Sequence, residues 1–354
     1  MYFQYRENGF YFDFNFQNMK LTVLLLLLTC SVYAQKIAVE LIAPKVNSSF
    51  RGVSVVNDNV AWVSGSNGWI GLSTNGGKKW DFHQVKNFEK TDFRSVYGFS
   101  STLAVIANAG SPASILVTSD GGISWKEVYR NDNKEAFFDG IDFWNEVDGV
   151  IYGDPMQGKI TLLRTTNRGN TWHEFNSTER PSVVEGEASF AASGTGIRCY
   201  NGNRIVIATG GLASHMLISK DKGKNWKMIN TPILQGKNST GIFSIAFTNE
   251  QRGVIVGGDY LIDSLSLNHI FYTHDGGLHW QAPEVPTRGY RECVEYLTDN
   301  TLVSTGPSGV DVSYDGGLNW EALSNEKGFH VVRKAREGTL MIMAGTKGRI
   351  GLIK

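Results

Sequence analysis

The chain is short of the residues that usually announce chemistry. It has 3 cysteines and 8 prolines in 354 residues, and its 34 Lys and Arg are matched by 34 Asp and Glu. Three cysteines exclude a disulfide-stapled scaffold. Balanced charge removes the basic footprint of a nucleic-acid binder. No Gly-x-Gly-x-x-Gly joins a strand to a helix, and neither Cys-x-x-Cys nor Cys-x-x-Cys-His occurs, so nothing points to dinucleotide, thiol-redox or haem chemistry. Neither a cofactor nor a metal is expected.

One apolar run interrupts this picture. Met19-Lys20 precedes Leu24 to Leu28, and a small residue, Ala34, closes the segment. A basic start, a short apolar stretch and a small residue at a cleavage point are the parts of an export signal, and the run is too short to span a bilayer. Residues 19–34 are therefore expected to be a cleaved signal, which places the protein in the periplasm or outside the cell. Residues 1–18 match none of these parts, so Met19 is expected to be the true start and 1–18 a misassigned one. Lipidation at Cys30 is not expected, because Thr29 stands where such signals carry Gly or Ala. Cys199 and Cys293 remain in the mature chain, far apart in sequence, and are expected to be buried free thiols.

What the chain has in abundance is repetition. An octapeptide, Ser/Thr-x-Asp/Asn-x-Gly-x-x-Trp, occurs six times, with its polar turn residue and tryptophan at Asn75/Trp80, Asp120/Trp125, Asn167/Trp172, Asp221/Trp226, Asp275/Trp280 and Asp315/Trp320. The tryptophans are 45, 47, 54, 54 and 40 residues apart, a period that belongs to propellers and solenoids. Each octapeptide is read as a structural turn. The carboxylate or amide caps backbone N–H groups, glycine takes positive φ, and the indole is buried against the neighbouring blade. A calcium site would need several carboxylates where each turn offers one.

Around the octapeptides, two further strands recur seven times. The first strands are expected at 52–56, 94–99, 140–143, 189–192, 242–247, 291–296 and 330–332. The second are rich in small and β-branched residues and end in glycine, at 61–65, 103–110, 149–153, 204–211, 253–258, 302–306 and 340–345. The seventh repeat lacks an octapeptide, yet 344–352 mirrors 64–72. The reading is an all-β, seven-bladed propeller of four-stranded antiparallel blades, one domain over 35–354, with about 46 residues per blade. The strand at 37–42 supplies the missing fourth strand of the last blade and closes the ring, leaving no open edge.

The octapeptides resemble the Asp-box, or bacterial neuraminidase repeat, of sialidases and of several non-enzymatic propellers. The phrases at 93–96, 186–195, 241–247 and 256–260 are similar to a bacterial branch of the photosystem II stability/assembly factor family, whose exported members are often loosely named oxidoreductase or glycosyl hydrolase. That resemblance implies a seven-bladed propeller over 37–354 and leaves function open.

In a propeller, the starts of first strands and the turns between second and third strands surround the channel mouth. This places Arg51, Arg94, Arg291 and Lys347 on one arc and Asp139, Asp154, Glu187 and Asp259 on the other, with Tyr260 beside them. A basic arc facing an acidic arc is a candidate ligand cup; the alternative is that the arcs pair with each other and hold blades together. The first functional expectation is an exported, non-catalytic, monomeric propeller that binds a protein, peptide or glycan. The second, implied by the sialidase resemblance, is an anionic-sugar hydrolase with Arg51, Arg94 and Arg291 as an arginine triad, Tyr260 or Tyr290 as nucleophile, Glu187 as base and Asp139 or Asp154 as acid. Seven blades rather than six, and Gly52-Val53 after Arg51 where sialidases carry Ile-Pro, weigh against it.

Overall fold

Runs of alternating small and β-branched residues set the strands, and the Gly-rich turns between them set their antiparallel pairing. The computed structural model describes residues 37–43 and 45–354. The expectations for the misassigned start, the signal at 19–34 and Cys30 lie outside the described residues. Seven sheets follow one another. Blade 1 holds Phe50–Val55, Ala61–Gly65, Trp69–Ser73 and Asp81–Gln84 in sequential antiparallel order, and blades 2, 3 and 6 repeat this arrangement. In blade 7, Phe329–Lys334, Met341–Gly345 and Ile350–Ile353 are joined by Val39–Ile42, which pairs antiparallel with Ile350–Ile353. The ring therefore closes with a strand from the other end of the sequence, as the missing octapeptide implied.

Burial grades outward along each blade. Ala61–Gly65, Leu302–Gly306 and Met341–Gly345 are buried throughout, whereas the outer strand Asp81–Gln84 is mostly exposed. The apolar core lies between blades rather than within one. Val105, Ile115 and Val117 of blade 2 meet Phe138, Phe143 and Ile151 of blade 3, and equivalent clusters join the neighbouring pairs from blade 1 to blade 6. Around the axis, Phe50–Val55 packs against Ser95–Gly98 on one side and Phe329–Lys334 on the other.

All six octapeptides form one turn. The Ser or Thr hydroxyl accepts the amide of the glycine four residues on at 2.8–3.0 Å. The Asp or Asn Oδ1 accepts the amide four residues on at 2.9–3.0 Å. Five of the indoles donate back to a turn carbonyl at 2.8–3.1 Å. Trp80, Trp172 and Trp320 are buried and the other three half-buried. Trp125 of blade 2 meets Trp62 of blade 1 edge-on, with centroids 6.4 Å apart.

Blades 4 and 5 depart from the expectation. The first strand of blade 4 is Ile197–Tyr200 rather than 189–192. Residues 189–192 belong to a loop led in by Glu187–Ala188, which pairs with Gly210–Gly211 and through Gly210 with Gly241 of blade 5. That crossing needs glycine: a Cβ at Gly241, whose φ is 148°, would stand 2.3 Å from the Gly210 Cα. In blade 5 the outer strand shrinks to a single bridge between Tyr272 and Gln281. The two thiols are free, Cys293 buried and Cys199 half-buried rather than fully so. No helix among the described residues is long and apolar enough to cross a membrane.

Candidate functional site: the channel-mouth cavity

A local irregularity aims side chains at the axis. The pairing register slips by one residue between Phe50 and Gly52, Phe138 and Gly140, Ile242 and Ser244, and Phe329 and Val331. The residues skipped are Arg51, Asp139, Phe243 and His330. A β-bulge leaves its extra residue out of the ladder and re-aims it. The same phrase, a bulge residue before a small residue and a β-branched one, puts Arg94 (before Ser95-Val96) and Glu292 (before Cys293-Val294) in equivalent places.

Five of these six line one cavity of about 460 Å³: Arg51, Arg94, Asp139, Phe243 and Glu292. Asp154, Tyr260 and Tyr290 join them, with the 189–192 loop as one flank. The cavity has two unlike walls. One is aromatic: Phe190 and Phe243 stack at 3.9 Å and 11°, Tyr290 meets Phe243 edge-on at 4.8 Å, and Tyr260 stands edge-on to both phenylalanines. The rim beyond it is apolar and exposed at Tyr260, Leu261 and Ile262.

The other wall is charged. Arg51 Nη1 donates to the Ala192 carbonyl at 2.7 Å and lies 3.6 Å from Glu292 Oε2. Glu292 also meets His330 Nδ1, and His330 Nε2 is 3.2 Å from the Ser49 hydroxyl. Arg94 Nε donates to Asp92 at 2.8 Å. Asp139 is fully buried, and neither of its oxygens has a hydrogen-bond partner. Burial, aided by the Asp154 charge and opposed by Arg94, pushes its carboxyl well above the usual range. Burial raises Asp154 too, against the Ser189 amide that its Oδ1 accepts at 3.0 Å. The Tyr290 phenol is driven well up by burial and by Glu292, so it stays protonated.

Arg51, Arg94, Asp139, Asp154, Tyr260 and Tyr290 are thus brought together, and four other expected site residues are not. Arg291 is fully buried with Asp311, its Nε donating to Oδ2 at 2.8 Å and its Nη1 to the Tyr290 carbonyl. Glu187 accepts from Thr209, from His215 Nδ1 at 2.9 Å and from the Val184 amide, which pins the ribbon beneath the 189–192 loop. Asp259 is buried at a strand end, where burial is outweighed by the Ser239 hydroxyl, the Leu261 amide and Lys237, which hold its carboxyl low. Lys347 is exposed on a turn with φ 56°. An arginine triad therefore does not form: two arginines face the cavity, and Glu292 stands where Arg291 was expected. Neighbours in an extended segment point opposite ways, so an offset of one residue exchanged the buried ion pair for the cavity acid. Phe190, Phe243 and Glu292 were missed as site residues; aligning the six strand starts on their bulge phrase would have found two of them.

No protein-family profile matches the chain. The vacuolar protein sorting/targeting protein 10 of Paracoccidioides brasiliensis strain Pb18 is 29% identical over 124 residues, 32% of this chain. The chain spans only 8% of that relative's length in the match. Among solved structures, YCF48 bound to D1 peptide has a TM-score of 0.64 at 16% identity, covering 91% of this chain and 97% of that one. The GH74 xyloglucanase of Xanthomonas campestris has a TM-score of 0.58 at 12% identity, covering 88% of this chain and 53% of that one. At such identities the likeness is one of fold.

Proposed function

We propose that this propeller binds a protein or peptide ligand in the channel-mouth cavity and does not turn it over. The observation that carries the reading is the pairing of an aromatic wall with a charged one beneath an exposed apolar rim. Aromatic anchors beside a few fixed polar groups are what peptide-binding clefts are made of. The YCF48 fold neighbour was solved with a peptide bound, which supports the same choice. Export belongs to this proposal and rests on the sequence of residues 19–34.

Glycoside hydrolysis has one observation in its favour: Asp139 and Asp154 share the cavity with raised pKa values, as a general acid requires. Against it, Glu187 is sealed among Thr209, His215 and Val184, and Tyr290 is held protonated. Two measurements separate the readings. Labelled peptide pools are expected to bind, and Tyr260→Ala to weaken them by roughly tenfold, as loss of an aromatic anchor does. Fluorogenic glycosides, sialosides included, are expected to give no turnover; hydrolysis that vanishes in Asp139→Asn would replace the binding reading with the catalytic one.

A further inference from the structure

We propose that Asp139 and Asp154, on the floor of the cavity, form a subsite for a basic group of the bound partner, a guanidinium or a primary amine. The inference rests on the binding reading above.

The floor holds unused hydrogen-bonding capacity at several atoms. Neither oxygen of Asp139 has a partner, and the hydroxyl of Ser189, which lines the same cavity, has none either; behind them the buried Tyr152 hydroxyl is unpartnered too. Buried polar groups are nearly always partnered, so a cluster of exceptions is a site short of something. The nearest arginines do not supply it. Arg94 is held by Asp92, and Arg51 by the Ala192 carbonyl and Glu292. In the lining, the acids Asp139, Asp154 and Glu292 outnumber the cations Arg51 and Arg94. The floor therefore lacks N–H donors that carry positive charge.

A guanidinium offers five such donors and an ammonium three. Either enters on an apolar stem, which the Phe190–Phe243 stack and Tyr290 would cover. A hard metal ion fits less well. It takes six or more oxygens in the case of calcium, and no group of three or more metal-ligating side chains gathers among the described residues.

The test uses fluorescein-labelled, N-acetylated peptide pools with identical randomised neighbours and arginine, lysine or citrulline at the centre. A fourth pool carries central citrulline and a free amino terminus. Citrulline keeps the shape of arginine without its charge. At low salt, the arginine or lysine pool is expected to be retained roughly tenfold better than acetylated citrulline, about what a charge-assisted hydrogen bond contributes. Preference for the free-amino pool would instead assign the basic group to a chain terminus, with the same subsite. The preference is expected to disappear in Asp139→Asn/Asp154→Asn and to persist in Asp132→Asn, a surface control. Near-isosteric amides preserve the cavity's volume, and a thermal melt of each variant verifies folding. Equal retention of arginine and citrulline pools would overturn the subsite and leave the binding cavity standing. Selectivity that survives the double substitution would overturn its location. Calorimetric uptake of Ca²⁺ that the double substitution abolishes would overturn the organic cation. A folded protein retaining no pool would overturn this inference and the binding function together.

Discussion

The two ends of the propeller are built from the same strands and treat their polar groups in opposite ways. Within the octapeptides, every turn satisfies the Ser or Thr hydroxyl, the Asp or Asn Oδ1 and the amides they accept, and among these turn groups only the Trp280 indole is buried without a partner; the Tyr200 hydroxyl and Arg204 Nε, beside them, are the two further exceptions at this end. At the channel mouth, Asp139, Tyr152, Ser189 and one oxygen of Asp92 stand buried and unpartnered. Satisfied polar groups stabilise a fold, and unsatisfied ones destabilise it unless something else completes them. The octapeptide end therefore reads as structure and the channel mouth as function.

This contrast breaks first if the octapeptides prove dispensable. Trp172 is buried and meets Phe143 edge-on at 6.0 Å. Trp172→Ala is expected to lower stability by about 3–5 kcal/mol in urea unfolding, the usual cost of emptying a buried indole site. An effect within experimental error would remove the structural assignment.

A smaller effect of opposite sign is expected at the other end. Asp139 has a folded-state pKa above its unfolded value, so its contribution is most favourable below the ordinary carboxylate range and is lost as pH rises through the raised value. Asparagine does not titrate. Asp139→Asn is thus expected to melt higher than the wild type at pH 8, by roughly 2–6 °C for relief of one buried, unpaired group, and the gain is expected to shrink at pH 4. The groups facing it are Asp154, Arg94 and Tyr152, so repeating the melt in Asp154→Asn tells their coupling from simple burial. A variant less stable at every pH would mean that Asp139 is a structural acid after all.

The smallest effect sharpens the comparison through acid. Asp120 is held down to about 2 by the Ser124 hydroxyl, the Ser124 amide and the Thr118 hydroxyl. Its contribution is present above the ordinary carboxylate range and is lost as pH falls towards 2, the reverse of Asp139. Asn75 and Asn167 already make the same turn. Asp120→Asn is expected to change stability at pH 7 by only about 0.5 kcal/mol or less, and to melt higher than the wild type near pH 2.5. Thermal melts across that range verify both halves.

The architecture was legible because it is periodic. Six octapeptides and the mirror of 64–72 in 344–352 fixed the blades, and the strand at 37–42 was the remaining candidate to close the ring. The loop at 189–192 misled because its small and aromatic residues read as a strand, while the glycine crossing at Gly210 and Gly241 that displaces it is a three-dimensional event. Half of the cup was legible because Arg51, Arg94 and Asp139 are charges at the starts of first strands and Asp154 is a charge at the turn after a second strand. The rest was not, because pairing decides which charges are available. Asp311 takes Arg291, His215 and Thr209 take Glu187, and the Leu261 amide, the Ser239 hydroxyl and Lys237 hold Asp259. The bulges that aim the cavity residues follow from register, which no single strand's sequence displays.

The pairing of Val39–Ile42 with Ile350–Ile353 has a consequence for how the molecule is made. A chain emerging from the ribosome exposes its first strand long before the partner exists. Until blade 7 has emerged, that strand must wait beside a nascent arc whose last blade is missing, and the ring acquires its final seam only then. Joining segments so distant in sequence costs loop-closure entropy, which slows the step. The expected assembly intermediate is an open horseshoe with both edges bare, and a chaperone that shields strand edges would meet its client at that moment.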